Sequence, residues 1–312
     1  MDRNSVDWSG PMPAVVTPFN DNGAIDEGLF QANLEMLLEK GATGFIVGGC
    51  TGEFWALSNE ERKRLNSLGA KTVGGRATVI AGTGSISHVE VVELTKAAQD
   101  AGCNGALVLP PYFVKLTDDE IFAHFELIAK SVTLPMMVYN IPQAAVNEIS
   151  PELALRLADL DPIVAIKESA GDWNNYYATT IAVQHRLRVF CGPSSVYGVS
   201  AVALGADGII DCFPNVWAPG GLDLFHHVKK GDMASARELQ KLGVALTRLF
   251  TSQGRTLYPS TKAAMSMLGL PGGALRRPLR PLTKDQFDGL HLGLSALGLV
   301  SADSRAAERL RA

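Results

Sequence analysis

VAIKES, residues 164–169, places a lysine at the end of an apolar run. Val164, Ala165 and Ile166 follow one another without a polar residue between them, which is typical of a strand in a parallel sheet that is covered on both faces. Such a strand has little use for a charge. Lys167 is therefore either the first solvated residue after the strand or a side chain with a chemical role.

Seven further apolar runs of this kind recur along the 312 residues of the chain. The ends of successive runs lie 19 to 33 residues apart, which leaves room in each step for one strand, one helix and two short loops. We interpret the eight runs as the strands of one parallel sheet. They are AVVTPF, GFIVGG, ATVIAG, GALVLP, PMMVYN, IVAIKE, LRVFCG and DGIIDC, and they end at Thr17, Gly48, Ala81, Leu109, Tyr139, Lys167, Cys191 and Ile210.

The segments between the runs carry helix signals. Asp26 is placed to cap a helix whose apolar stripe ends before Gly41. The tetrapeptides SNEE (58–61) and TDDE (117–120) match the capping box, and Ser150 precedes a proline at the first position of a helix. The pattern therefore predicts repeated units of one strand followed by one helix.

Eight such units predict an α/β fold of the (β/α)8 TIM-barrel type, whose usual size is about 250 residues. Residues 1–220 hold the eight runs and form the predicted barrel. Residues 221–312 are more than one closing helix needs, so we expect a C-terminal helical domain packed on the barrel. An open, doubly wound sheet is the alternative, but no GxGxxG motif opens a first helix.

Composition narrows the classes of function. The chain has 46% hydrophobic and 19% charged residues, which is a globular balance, and its formal net charge of -4 offers no basic field for nucleic acid or an anionic membrane. No apolar run approaches the roughly 20 residues of a membrane span. The N-terminal segment lacks the apolar core of a signal peptide, so we expect a cytoplasmic protein. The four cysteines are Cys50, Cys103, Cys191 and Cys212, and they form neither a CxxC pair nor a set with zinc-ligand spacing. We therefore expect reduced thiols and no metal site.

The loops that follow the strands are the candidate site, because chemistry in such a barrel gathers at the carboxyl ends of the strands. Lys167 would share this mouth with Tyr112, Tyr139 and the glycine-rich segment 48–53. Burial lowers the pKa of a lysine, a neutral lysine forms a Schiff base with a carbonyl, and a tyrosine can move the protons. Backbone N–H groups of a glycine-rich turn can hold a small anion. Together these groups suit a 2-oxo acid.

Each candidate also has a purely structural explanation. Segment 48–53 could be an ordinary tight turn, Tyr139 could be a core aromatic, and Asp211 could cap the next segment. The glycine-rich segment lacks the GK[ST] ending of a P-loop, which argues against a nucleotide as the ligand. These alternatives stay open on the residues alone.

Four motifs in order resemble the dihydrodipicolinate synthase / N-acetylneuraminate lyase superfamily of class I aldolases. They are GGCTGE, YNIP, VAIKES and GADGIID, and the similarity runs from PAVVTPF to LRRPLRPLT, over most of the chain. The resemblance implies a (β/α)8 barrel with a C-terminal helical domain and a lyase that needs neither metal nor organic cofactor. It also implies a homotetramer, a dimer of dimers, whose only other partner is a small 2-oxo acid.

By this resemblance Lys167 would form the Schiff base, Tyr139 would be the general acid and base, and Tyr112 would reach into the site of a neighbouring subunit. The remaining residues that we expect to bind substrate are Cys50, Thr51 and Gly52, which would hold the keto-acid carboxylate, and Ser169, Ser194, Ile210 and Asp211 around the variable part.

Three departures from the family patterns bear on the substrate. The synthases carry an arginine two residues after YNxP, where this chain has Ala144, and a hydroxyl residue in place of Cys50. The sialic acid lyases carry acidic residues where this chain has Pro193, Ser194 and Ser195. We therefore predict an activity other than the two namesake ones: retro-aldol cleavage or aldol addition with pyruvate. The alternatives are dehydration of a 2-keto-3-deoxy sugar acid and a keto-acid sensor without catalysis.

Overall fold

The computed structural model describes residues 1–301 and contains eight parallel strands in one sheet. Each strand from β2 to β8 pairs with the next, and β8 pairs with β1. This arrangement confirms the predicted (β/α)8 barrel. The strands are β1 Gly10–Pro11, β2 Gly44–Val47, β3 Thr78–Gly82, β4 Gly105–Val108, β5 Met136–Asn140, β6 Ile163–Glu168, β7 Arg188–Cys191 and β8 Gly208–Ile209.

The first strand differs from its prediction. The run AVVTPF does not form a regular strand, and the ladder to β8 covers only Gly10–Pro11. Pro11 and Pro13 have no N–H to donate toward β2, so the seam between β1 and β2 rests on their carbonyls, which accept from Thr43 and Ile46, and on one isolated bridge from Ala14 to Ile46. The prolines thus leave the barrel closed by a few hydrogen bonds rather than by a full ladder.

Helices follow the strands as the capping residues predict. Asp26, Ser58, Thr117 and Ser150 each accept a hydrogen bond from a backbone N–H in the first turn of a helix, which confirms them as N-caps. The helices of the barrel are α1 Glu27–Glu39, α2 Asn59–Val73, α3 His88–Asp100, α4 Asp118–Ala129, α5 Pro142–Ala145, α6 Pro151–Leu157, α7 Trp173–Val183, α8 Ser194–Leu204 and α9 Ala218–Lys229.

Alternation along β6 decides where its side chains point. Ala165 belongs to the apolar cluster inside the barrel, and Ile166 belongs to the larger core between strands and helices. Because side chains two residues apart share a face of a strand, Lys167 points into the barrel and Glu168 points toward the helices.

Three further helices follow the barrel: α10 Met233–Thr251, α11 Leu257–Met267 and α12 Lys284–Ala296. Their apolar residues form a core of their own, to which Val16 and Phe213 of the barrel loops also belong. Residue 220, our expected domain boundary, lies inside α9, and residues 302–312 of the expected C-terminal domain lie outside the described residues. The division into two domains stays a prediction. None of the described helices has both the length and the apolar character to cross a membrane.

Candidate active site

Lys167 lies at the floor of a cavity of about 290 Å3 at the carboxyl ends of the strands. Its side chain is only 7% exposed. Gly192, at the start of the loop after β7, makes room for it, because a Cβ there would lie 2.9 Å from Lys167 Cε and 2.6 Å from Ser169 Oγ. A side chain at this position would therefore displace Lys167, Ser169 or both.

Burial changes the acid–base properties of Lys167. Loss of hydration lowers the pKa of its ammonium, and the acidic groups of Cys50 and Asp211 oppose that shift. A larger fraction of the amine is thus neutral near pH 7 than for a lysine in water, and the neutral amine is the form that attacks a carbonyl.

Glu168, the next residue, is buried on the outer face of the strand, away from the cavity. It accepts hydrogen bonds from Asn140 Nδ2 and from the Ala170 N–H, both at 2.7 Å. Burial raises the pKa of this carboxyl to about 7, and the hydrogen bond from Asn140 opposes the shift. Glu168 therefore ties the ends of β5 and β6 together and does not supply a counter-ion to Lys167.

Tyr139 on β5 is the register partner of Lys167 on β6. The Lys167 ammonium lies 4.1 Å from the centre of the Tyr139 ring. Burial raises the pKa of the Tyr139 phenol, and Cys50 and Ser169 line the same cavity. Tyr139 therefore keeps its proton at neutral pH and is suited to donate it beside the amine.

The glycine-rich segment after β2 forms the side of the cavity. Gly48 has a φ of 65°, and a Cβ on Gly82 of β3 would lie 2.1 Å from the Gly48 carbonyl oxygen, so the turn needs glycine on both strands. Thr17 Oγ1 donates to the Gly52 carbonyl at 2.7 Å and fixes the far end of the turn. Thr51 lines the cavity, and its N–H donates no hydrogen bond within residues 1–301. This N–H is available to a small anion.

Most of the predicted site residues come together in this cavity. Lys167 and Tyr139 share it with Cys50, Thr51, Ser169, Ile210 and Asp211. Gly52, Ser194 and Tyr112 do not line it. The predicted site did not include the other nine residues of the lining, among them Gln143, Cys212, Leu257 and Tyr258.

Asp211 has structural partners as well as a place in the cavity wall. Its carboxylate accepts hydrogen bonds from the Ser195 N–H at 2.6 Å and from the Cys212 N–H at 2.7 Å, and Ser194 Oγ lies 3.4 Å away. Asp211 thus anchors the start of α8 to the loop after β8. Ser194 contacts this carboxylate rather than the cavity.

Tyr112 packs edge-on against Phe54, with the ring centres 6.2 Å apart. The next residue, Phe113, is 85% exposed and has a φ of 81°, which is unusual for a bulky side chain. An exposed aromatic ring on a strained loop is typical of a contact surface. That Tyr112 enters the site of a neighbouring subunit, and that the protein forms a tetramer, stay predictions.

A buried ion pair connects the glycine-rich segment to the C-terminal helices. Glu53 and Lys262 of α11 lie 2.6 Å apart, with side chains 0% and 3% exposed. Lys262 Nζ also donates to the carbonyls of Thr17 at 2.7 Å and Ala274 at 2.8 Å. Burial raises the pKa of Glu53, and the attraction of Lys262 opposes the shift. The pair holds the mouth of the barrel against α11.

We expect Lys262→Met to lower the free energy of unfolding by about 3–5 kcal/mol at pH 8, because it leaves the Glu53 carboxylate buried and unpaired. The loss should shrink as the pH falls. A carboxyl whose pKa is higher in the folded than in the unfolded state stabilises the fold below its unfolded-state pKa. This stability is lost as the pH rises through the folded-state pKa. At low pH Glu53 is protonated and carries no charge, so it no longer needs Lys262. Urea unfolding at pH 5 and pH 8 measures both effects.

Lys241→Met is the matched control, because Lys241 pairs with Glu238 on an exposed helix face and should contribute at most about 1 kcal/mol. Adding Glu53→Gln to Lys262→Met should restore part of the lost stability at pH 8. Equal losses for Lys262→Met and Lys241→Met would show that the buried pair does not stabilise the fold.

Within residues 1–301 no group of three His, Cys, Asp or Glu side chains is placed to hold a metal ion. The four cysteines of the chain are free thiols. Catalysis without metal stays a prediction.

Comparisons with known proteins show similarity across nearly the whole chain. A sequence profile of the dihydrodipicolinate synthetase family matches residues 7–297. An uncharacterized DapA-like lyase of Rhizobium meliloti is 34% identical over 299 residues, which is 95% of this chain and 98% of the relative. A 4-hydroxy-tetrahydrodipicolinate synthase of Hyphomonas neptunium is 38% identical over 281 residues, 87% of this chain and 92% of the relative.

The solved structures give the same result. YagE, an E. coli K12 prophage protein of the dihydrodipicolinic acid synthase family in complex with pyruvate, superposes with a TM-score of 0.89 at 28% identity, over 94% of this chain and 99% of that chain. Dihydrodipicolinate synthase from Aquifex aeolicus superposes with a TM-score of 0.88 at 30% identity, over 95% and 100%. The similarity covers the barrel and the C-terminal helices alike.

Proposed function

The chain belongs to the dihydrodipicolinate synthetase family, whose members are pyruvate-dependent lyases, and on that premise we propose that it cleaves a 4-hydroxy-2-oxo acid to pyruvate and an aldehyde through an imine on Lys167. The observation that carries this proposal is the buried Lys167 amine at the floor of the cavity, 4.1 Å from the ring centre of Tyr139. A lysine in this position has a lowered pKa and an acid beside it, which imine formation requires.

The reaction begins with attack of the neutral Lys167 amine on the C2 carbonyl of the substrate. Tyr139 donates a proton to the carbinol oxygen, which leaves as water, and the protonated imine becomes the electron sink. The Tyr139 oxygen then takes the proton of the 4-hydroxyl as the C3–C4 bond breaks and the aldehyde leaves. The enamine that remains takes up a proton at C3, and hydrolysis of the imine releases pyruvate and the free amine.

The cavity wall supports the choice of a 2-oxo acid. The Thr51 N–H, which donates no hydrogen bond within residues 1–301, can donate one to the C1 carboxylate, whose negative charge also favours the iminium. Beyond C3 the cavity offers the hydroxyl of Ser169 and the carboxylate of Asp211 along with the amide of Gln143. These groups suit a substrate whose variable part carries hydroxyl groups.

The same imine supports a second reaction, loss of water from a 2-keto-3-deoxy sugar acid. Polar side chains in the variable part of the cavity favour this candidate, because they can hold several sugar hydroxyls at once. In that reaction the Tyr139 oxygen takes a proton from C3, which gives the enamine, and returns it to the departing 4-hydroxyl, and no C–C bond breaks. The two reactions therefore differ in whether pyruvate is a product.

A panel of 4-hydroxy-2-oxo acids and 2-keto-3-deoxy sugar acids tests the proposal. Pyruvate is measured through its enzymatic reduction to lactate. Products that keep the carbon number of the substrate are detected by mass spectrometry. We expect pyruvate from at least one substrate. Product that retains all carbons would assign the dehydratase instead. Binding of the acids without any turnover would contradict both reactions and support a sensor.

Ala144 bears on the namesake synthase reaction. It lies in α5, close to the cavity residue Gln143, and offers no charge to a second carboxylate. We expect condensation of pyruvate with aspartate semialdehyde to be slow, and Ala144→Arg to raise its kcat/KM about ten- to a hundred-fold, because one charge-assisted pair contributes roughly 1.5–3 kcal/mol. Ala144→Gln adds similar length without charge and is the control. Rapid condensation by the unmodified protein would refute this prediction.

A further inference from the structure

A second phenol faces the Lys167 cavity, and it comes from the C-terminal helices rather than from the barrel. Tyr258, in the first turn of α11, lines the cavity together with Tyr139, Cys50 and Lys167. It lies about ninety residues after the strand that carries Lys167 and belongs to no strand end. Tyr112, in contrast, lies outside the cavity of its own chain.

Two contacts hold Tyr258 in place. Its ring lies against that of Trp55, with the ring centres 5.1 Å apart. Lys262 follows four residues later, one helical turn away on the same face of α11, and its ion pair with Glu53 fixes that face against the glycine-rich segment. Trp55 and Glu53 both belong to the stretch directly after Cys50. The cavity wall and α11 are thus clamped at two neighbouring points.

The Tyr258 hydroxyl is free for chemistry. Within the described part of the chain it makes no hydrogen bond to a protein group, although Tyr258 is partly buried. Burial raises the pKa of its phenol, and negative charge on Tyr258 would in turn raise the pKa of Tyr139. Both phenols are therefore neutral at pH 7, and each can donate one proton while it accepts another.

Cys50 is poorly suited to exchange protons with Tyr139, so another proton-transfer group is needed. Its thiol lines the cavity together with Tyr139, but sulfur is a weak donor and a weak acceptor. Burial also raises the pKa of Cys50, so the thiol is a poor proton carrier. Tyr139 must nevertheless lose and regain a proton in every turnover of the proposed reaction.

We propose that Tyr258 is a proton-relay residue that passes protons between Tyr139 and solvent, directly or through one water in the cavity. The proposal rests on the proposed function. When Tyr139 gives its proton to the departing oxygen, Tyr258 gives its own to Tyr139 and takes one from water. When Tyr139 accepts a proton, the same transfers run in reverse. Each transfer moves one proton in and one proton out, so no phenolate accumulates.

Exchange of the C3 protons of pyruvate in D2O tests the relay without the natural substrate. Imine and enamine formation on Lys167 replaces these protons by deuterium, which proton NMR follows. Tyr258→Phe keeps the ring that packs on Trp55 and removes only the hydroxyl. We expect exchange to slow about tenfold or more, with kcat on the natural substrate reduced likewise, KM little changed and the Tm unaffected. Tyr177→Phe, on an exposed face of α7, is the control and should exchange at the normal rate.

Borohydride trapping with pyruvate separates this proposal from the proposed function. A normal yield of trapped imine in Tyr258→Phe together with slow exchange supports the relay. Normal exchange in Tyr258→Phe overturns the relay. This holds also if longer substrates turn over slowly in Tyr258→Phe, because Tyr258 would then act by contact with the substrate and not by proton transfer. Absence of a trapped imine in the unmodified protein overturns the proposed function and the relay with it.

A second measurement does not depend on how well Tyr258→Phe folds. The exchange rate of the unmodified protein is measured at several deuterium fractions of the solvent. A plot of rate against deuterium fraction is curved when two protons move in one transition state. The relay predicts a curved dependence. A straight line means that a single proton moves and overturns the proposal.

Discussion

Lys167→Ala is expected to lower turnover by at least about a thousandfold. The variant has no amine at the cavity floor, so it cannot convert the substrate carbonyl into the iminium that serves as electron sink. A factor of a thousand corresponds to about 4 kcal/mol of transition-state stabilisation. The measurement is the steady-state rate on the best substrate of the panel.

The fold should survive this change. The contact of the Lys167 ammonium with the Tyr139 ring contributes only about 0.5–2 kcal/mol, and removal of a buried charge relieves a cost of desolvation. Lys167→Arg keeps a charge but forms no imine, and it should be as inactive as Lys167→Ala. Lys96→Ala, on the exposed face of α3, is the control for lysine loss. Substantial turnover by Lys167→Ala with an unchanged Tm would exclude the imine mechanism.

Tyr139→Phe is expected to lower kcat by about 10²–10⁴-fold with a smaller change in KM, because it removes the positioned acid and base but leaves the ring beside Lys167. Imine formation itself needs a proton donor, so the rate of imine formation in a single turnover should fall by a similar factor. The raised pKa of Tyr139 adds a pH dependence: the phenol stays protonated at neutral pH, so the loss in kcat should be nearly constant between pH 6 and 8.

The control for Tyr139→Phe is again Tyr177→Phe, which removes an exposed hydroxyl that does not line the cavity. Equal kcat values for Tyr139→Phe and the unmodified protein would assign the proton transfers to another group. A large increase in KM without a change in kcat would mean that Tyr139 binds the substrate and does not act on its protons.

The sequence predicts seven of the eight strands because their side chains are buried on both faces. Each of these seven ends within one residue of the end of its apolar run. The first strand could not be located in this way, since apolar residues 14–19 continue past the point where Pro11 and Pro13 interrupt the hydrogen bonding. Proline changes the ladder without changing hydrophobicity, so a search for apolar runs does not detect its effect.

The parts of the site that lie at strand ends follow from topology. Lys167 and Tyr139 are neighbours because parallel strands bring their carboxyl ends to one edge of the barrel. Tyr258 and Lys262 could not be predicted, because they reach the site through packing of α11 on the barrel. The sequence carries no local pattern for such a contact. The hydrogen bond between Asp211 and the start of α8 could not be predicted either, because the position of Asp211 after a strand does not show which backbone groups its carboxylate contacts.

Reduction with borohydride in the presence of pyruvate tests whether Lys167 forms the imine. Sodium borohydride converts the Lys167 imine into a stable secondary amine, and mass spectrometry of a protease digest locates the added mass. We expect one modified peptide, which contains Lys167, and no modification in Lys167→Ala or without pyruvate. An unmodified Lys167 peptide under saturating pyruvate, or the label on another lysine, would contradict it.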